Sequence, residues 1–180
     1  MKWMIASDLH GSAHWCRKLV EAFHREQADR LILLGDTLYH GPRNPLPEEY
    51  DPKSCVAQLT ELSGRIVSVR GNCDADVDQM VLPFPIMAEY ALLDLGSRLA
   101  FLTHGDRWNP DNLPAMAQGG LLINGHTHVA ACEERQGYWY MNPGSPSLPK
   151  DGGFRGYLLL SSQGARLCHM DGTVEKELDF

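Results

Sequence analysis

Up to Val69, short apolar runs of strand length alternate with helical periodicities. Trp3 to Ser7 is such a run, cut off by Ser7 and Asp8, and beyond it Cys16, Leu19, Val20 and Phe23 recur at i, i+3, i+4 and i+7, one face of a helix. Leu31 to Leu34 predicts a buried strand, Cys55, Leu59 and Leu62 a second helical face, and Ile66 to Val69 a third strand. Strand, helix, strand, helix, strand implies parallel strands joined by right-handed crossovers.

After Arg70 the pattern changes. Ala91 to Leu95 and Arg98 to Thr103 flank Gly96-Ser97 as in a hairpin, Leu121 to Asn124 reads as a buried strand, and Tyr138 to Asn142 alternates after Gly137. Three further strands are predicted at Gly156 to Ser161, Ala165 to Met170 and Thr173 to Leu178, separated by Gln163-Gly164 and Asp171-Gly172. A chain that begins βαβαβ and ends in strands can pack two sheets face to face with helices outside. No repeat or charge block divides it, and the Pro-rich stretch from Gly41 to Pro52 is too short for a linker, so residues 1–180 read as a single domain.

Composition narrows the function. With 43% hydrophobic residues in 180, the chain can bury a core, which excludes disorder. Its formal charge of -7 argues against a broad phosphate-neutralising face, so no stable nucleic-acid partner is expected. Bound divalent cations would reverse that sign locally. Five scattered cysteines without a CxxC pair make a disulfide framework improbable, and no apolar stretch reaches membrane-spanning length. The N-terminal run is too short for a signal peptide. The expectation is a cytoplasmic protein with no membrane partner; a homo-oligomer is compatible with apolar positions in the β-rich part.

The polar residues at the predicted strand ends carry the chemistry. Asp8 and His10 follow the first strand, Asp36 the second, Asn72 the third, His104 the Arg98 to Thr103 strand, and His126 with His128 the Leu121 to Asn124 strand. In open α/β sheets the C-terminal edge is where ligands bind, so these side chains can converge. Glycines at 11, 35, 71, 105 and 125 accompany them and permit sharp turns. Singly, each segment has a simpler explanation: Asp8 as a helix cap, Gly35-Asp36 and Gly71-Asn72 as turns. The pair His126 and His128 at i and i+2 is harder to dismiss, and the joint coincidence at five strand ends is harder still.

The ordered set DLH at 8–10, GD at 35–36, GNCD at 71–74, HG at 104–105 and GHTH at 125–128 resembles the calcineurin-like metallophosphoesterase family over residues 4 to about 145. HGPRN at 40–44, GNCDADVDQM at 71–80 and NPGS at 142–145 are similar to a branch of small bacterial phosphodiesterases within it. The resemblance implies a four-layer α-β-β-α sandwich of two mixed sheets flanked by helices, and a centre of two divalent metals. One metal would be held by Asp8, His10, Asp36 and His128, the other by Asp36, Asn72, His104 and His126, with Asp36 bridging. Oxygen and imidazole ligands suit Mn²⁺, Zn²⁺, Fe²⁺, Co²⁺ or Ni²⁺, with Mn²⁺ the family analogy.

The resemblance further implies a phosphodiesterase in which a metal-bound hydroxide attacks a small phosphodiester, with Asp36, Asn72, Cys73 and His104 at the reaction centre. Phosphomonoesterase or nuclease activity at the same centre, and a non-catalytic scaffold on the same fold, are the alternatives. Cys73 stands where many family members have His and Asp106 where relatives often have a second His, and Asp106 reads either as a turn cap or as a hydrogen-bond partner of a ligand His. Arg43 and His40, in the loop after Asp36, are candidate substrate contacts, since Arg can grip phosphate with paired hydrogen bonds. His14, His24 and His169 lack ligand-like neighbours, and turn chemistry suffices to explain Asn142 and Ser145.

Overall fold

The computed structural model describes all residues 1–180. Strands β1 (Trp3–Ala6), β2 (Arg30–Leu33) and β3 (Ile66–Ser68) alternate with helices α1 (Ala13–Arg25) and α2 (Pro52–Thr60). β1 pairs parallel to β2, and β2 to β3. After a short helix α3 (Asp76–Gln79) come β4 (Tyr90–Asp94), β5 (Leu99–Thr103), β6 (Gly120–Ile123), β7 (Ala131–Arg135), β8 (Tyr138–Asn142), β9 (Gly156–Leu160), β10 (Gly164–His169) and β11 (Val174–Asp179). One six-stranded sheet runs β11-β10-β9-β1-β2-β3 and one five-stranded sheet runs β4-β5-β6-β8-β7; both are mixed.

Alternation along β1 and β2 places each side chain in one of two apolar layers. Met4, Ala6, Leu31 and Leu33 point to the helices, where they meet Cys16, Leu19 and Phe23 of α1 and Cys55 and Leu59 of α2. Ile5, Ile32 and Leu34 point the other way, against Leu102, Leu121, Ile123 and Met141 of the second sheet. Helices α1 and α2 start where a side chain satisfies an orphan amide: Ser12 Oγ accepts from Trp15 N at 3.3 Å, and an Asp51 carboxylate oxygen accepts from Ser54 N at 3.1 Å with Pro52 beginning the helix.

The two mixed sheets and the helical layer on the first are as expected. The outer layer on the second sheet differs: it is the irregular segment between β5 and β6, with Ala115 and Met116 over Tyr90, Leu92 and Phe101, and no helix. The Pro- and Gly-containing stretch Trp108 to Gly120 has no helical periodicity, so its apolar residues cover the sheet as loop. Strand β7 has no signature in the sequence, since its Ala-Cys-Glu-Glu-Arg run is mostly polar with only Cys132 fully buried; it forms as the antiparallel partner of β8. All five cysteines are free thiols, and no helix is long and apolar enough to cross a membrane.

Candidate metal centre

The C-terminal ends of β1, β2 and β3 in one sheet and of β5 and β6 in the other meet at a single rim. Backbone bonds tie their loops together: Asp8 N donates to Gly35 O (3.1 Å), His10 N to Asp36 O (2.9 Å) and Gly125 N to His104 O (2.8 Å). His126 N donates across the two sheets to Asp8 Oδ2 at 2.8 Å. Close approach requires glycine at two places. A Cβ on Gly125 would strike Ser7 Oγ and lie 2.7 Å from Asp8 Oδ2, and one on Gly71 would strike the Asp36 carboxylate.

Seven side chains predicted from sequence converge there. His128 Nε2 and His10 Nε2 lie 3.2 and 3.5 Å from Asp8 Oδ1 and 3.1 Å from each other. Asp36 Oδ2 stands between two imidazoles, 3.8 Å from His10 Nε2 and 3.6 Å from His104 Nε2. His104 Nε2 is 3.0 Å from Asn72 Oδ1 and 3.1 Å from His126 Nδ1. Asp8, His10, Asp36, His104 and His128 are buried, whereas Asn72 is exposed and His126 half-buried, so the centre opens to solvent at those two.

Hydrogen bonding aims the nitrogens inward. The Nδ1 atoms of His10, His104 and His128 face the backbone carbonyls of Tyr39 (2.8 Å), Leu34 (2.7 Å) and Leu148 (2.7 Å). A carbonyl only accepts, so each Nδ1 carries a proton, and a ring in its neutral form turns its Nε2 lone pair towards the cluster. Two such lone pairs at 3.1 Å, beside a carboxylate oxygen of Asp8 that is buried without a hydrogen-bond partner, form an array of acceptors lacking a donor. A cation resolves it. Separations of 3.1 to 3.8 Å match neighbouring donors around one ion with bonds of about 2.1 Å, and the nitrogen and oxygen donors fit a borderline divalent metal.

Five of the seven residues, Asp8, His10, Asp36, His126 and His128, have φ between 50° and 67°. Left-handed backbone costs a non-glycine residue about 1 to 2 kcal/mol, and its concentration at ligand-bearing positions marks a functional site. The titration behaviour follows from the same crowding. Burial pushes the Asp8 carboxyl up, yet the imidazoles of His10, His128 and His104 outweigh it and hold Asp8 well below the usual carboxylate range. Burial pushes His10 and His104 down, and the carboxylates of Asp8 and Asp36 bring both above the ordinary histidine value. For His126, burial and the neighbouring His104 depress it.

A supporting layer escaped the sequence reading. The Asp74 carboxylate accepts from the backbone N–H groups of Asp36 (2.9 Å), Thr37 (2.9 Å) and Gly71 (2.7 Å), clamping the β2 and β3 loops together. Ser145 Oγ and Ser147 Oγ both donate to Asp8 O, at 2.7 and 2.9 Å, and the Asn142 side-chain amide donates to Gly125 O and Thr127 Oγ1. The NPGS segment therefore does more than turn: it fixes the loops that carry Asp8, His126 and His128. Asp74 belongs to the GNCD motif, and its position directly after the ligand loop was the available signal.

A cleft of about 470 Å³ opens over the centre, lined by Asp36, Asn72, Cys73, His126 and His128 with Arg43, Asn44, Thr127 and Lys150. Arg43 is thus part of the cleft wall. Lys150, a second cation facing the cleft, has no motif around it and went unread. His40 is not part of the lining: its ring packs edge-on against Tyr39 and Tyr50, with centroids 4.8 and 5.1 Å away, and its backbone oxygen accepts from Asn44 Nδ2. Cys73 N donates to Asp36 Oδ1 at 2.8 Å, while burial and the Asp36 carboxylate push the Cys73 thiol up to about 12. His14 and His169 lie elsewhere, beside Glu48 and Glu49 and beside Glu175.

Known proteins resemble the chain in sequence and in fold. A family model for the calcineurin-like phosphoesterase superfamily domain matches residues 1–164. Phosphodiesterase YfcE of Escherichia coli K12 is 45% identical over 162 residues, covering 90% of this chain and 88% of that protein. The structure of the E. coli phosphoesterase Yfce superposes with a TM-score of 0.96 at 42% identity, over 99% of both chains. The probable metallophosphoesterase YsnB of Bacillus subtilis is 27% identical over 168 residues, 89% of this chain and 84% of that one. Chaetomium thermophilum Vps29 shares the fold, with a TM-score of 0.66 at 15% identity over 100% of this chain and 98% of its own.

Proposed function

Because the chain belongs to the calcineurin-like phosphoesterase superfamily, we propose that it is a metal-dependent phosphodiesterase acting on small phosphodiesters at a dinuclear centre. The observation that carries this reading is the set of inward-facing nitrogens of His10, His104 and His128, fixed by backbone carbonyls around two carboxylates with one oxygen unpartnered. Asp8, His10, Asp36 and His128 would hold one ion, and Asp36, Asn72, His104 and His126 the other. Mn²⁺ suits these donors, as do Zn²⁺, Fe²⁺, Co²⁺ and Ni²⁺. When bound, the metals supply Lewis acidity towards a phosphoryl oxygen and acidify a water to serve as nucleophile.

The chain's own residues supply position and charge. Arg43 and Lys150 line the cleft from two separate loops and attract the phosphate, whose approach the overall acidic charge would otherwise oppose. Asn72 donates through Nδ2 to Cys73 Sγ at 3.3 Å, which turns its Oδ1 towards the centre as a neutral donor. Cys73, with its thiol held protonated up to about 12, is a weak proton donor at neutral pH, so leaving groups that need little protonation are favoured. A scaffold role alone would leave the left-handed backbone and the unpartnered carboxylate without benefit. The reading is tested with purified protein and bis(4-nitrophenyl) phosphate: hydrolysis is expected with Mn²⁺ and not with excess chelator, and equal rates in both would refute it.

A further inference from the structure

Asn72 lines two clefts. Besides the one with Arg43 and Lys150, a second cavity of about 320 Å³ adjoins it at Asn72, walled by Arg70, Gly71, Asn72, Glu89, Asp106 and Arg107. Its charge differs. The first cleft presents two cations besides the metal ligands, whereas the second pairs two arginines with two carboxylates and contains no apolar or aromatic side chain. Arg107 Nη1 bonds both Glu89 oxygens at 3.1 Å, and both side chains are more than 60% exposed, so this pair opens readily to an incoming group. The Asp106 side chain, a turn cap in the sequence reading, caps nothing and makes no hydrogen bond or ion pair with the protein, and the Arg70 side chain makes only a bond from Nε to Asp74 O, at 3.3 Å.

A phosphodiester has two alcohol arms that diverge from phosphorus, and the centre at Asn72 lies between two cavities. We propose that the second cavity receives one arm, and that this arm is a hydrophilic alcohol bearing hydroxyl or ammonium donors, as in a polyol or amino-alcohol diester. The inference rests on the phosphodiesterase reading. Donors on such an arm would pair with the carboxylates of Asp106 and Glu89, and its oxygens would accept from Arg70 and Arg107. An alkyl arm would find no apolar wall and would strip water from four charged groups without replacing its hydrogen bonds. A nucleobase would find no ring to stack on.

The test is competitive inhibition of Mn²⁺-dependent bis(4-nitrophenyl) phosphate hydrolysis by glycerophosphoethanolamine, glycerophosphoglycerol and dibutyl phosphate. Each of the first two is expected to inhibit at a concentration at least tenfold below dibutyl phosphate. Glu89→Gln should weaken inhibition by the ammonium-bearing diester at least threefold, and Arg107→Gln should strengthen it by a similar factor, with thermal melts confirming that both variants fold. A structural role for the pair would move both variants in one direction. Equal or better inhibition by dibutyl phosphate, or shifts of the same sign in both variants, would overturn the inference while leaving the phosphodiesterase reading intact. Absence of metal-dependent hydrolysis of the chromogenic diester would instead remove that reading, and this inference with it.

Discussion

Ile5 and Asp8 stand three residues apart on one chain, both buried to within 1%, in opposite kinds of structure. Ile5 lies in a hydrogen-bonded strand with apolar neighbours from both sheets. Asp8 lies just past that strand with φ at 58°, a carboxylate oxygen without a partner and three imidazoles facing it. The interiors of β1 and β2 keep regular pairing and apolar burial, and the rim where they end breaks several local rules within a few ångströms. Such violations are retained where function needs them, and the surrounding scaffold offsets their cost. The contrast separates what holds the protein together from what it does.

The sharpest way to break that contrast is at Asp36, the residue between the two ligand groups. Asp36→Asn should lower diester turnover by about a hundredfold or more, since even partners that only orient a ligand are worth 10 to 100-fold. Metal content by elemental analysis should fall with it. Full turnover by a metal-depleted variant would refute the arrangement. The supporting clamp comes next. Asp74→Ala leaves three buried backbone N–H groups unsatisfied, and chemical denaturation should show a loss of about 3 kcal/mol. A loss below 1 kcal/mol would mean that the loops are held in another way.

Metal itself should stabilise the rim. Saturating Mn²⁺ at about a hundred times its dissociation constant should raise unfolding free energy by about 2.7 kcal/mol, read as a higher melting temperature that chelator reverses. The sign with pH is fixed by His10 and His104, whose pKa values lie above the ordinary 6.5 because Asp8 and Asp36 outweigh burial. As pH falls through that range, protons occupy the Nε2 atoms that a metal needs. Mn²⁺ affinity by calorimetry should therefore drop on going from pH 8 to pH 6, by about tenfold per unit for each histidine titrating; affinity independent of pH would contradict the ligand assignment. The smallest effect is expected at Cys73. Cys73→His should improve turnover of poor leaving groups relative to good ones, and unchanged relative rates would remove Cys73 from the account of leaving-group preference.

The strand interiors were legible because apolar runs such as Leu31 to Leu34 are long enough to define themselves. The ligands were legible because each motif falls where such a run ends. What could not be read depends on contacts distant in sequence. Asp74 acts on amides 37 and 38 residues away, Ser145 and Ser147 on a carbonyl 137 and 139 residues away, and Lys150 reaches the cleft through a bond from its N–H to His128 O. β7 is invisible because its outward residues are charged, and the loop covering β4 and β5 because an irregular layer has no period. His40 stands outside the cleft lining, its ring against Tyr39 and Tyr50, because proximity in sequence to Asp36 does not fix where a ring packs.

Crystals grown with Mn²⁺ and measured on both sides of the manganese absorption edge test the central claim most directly. Two anomalous peaks are expected about 3.5 to 4 Å apart, one among Asp8, His10 and His128, one among Asn72, His104 and His126, with Asp36 touching both. Ordered manganese anywhere else, or no peak among these side chains in a protein that still hydrolyses the diester, would contradict it.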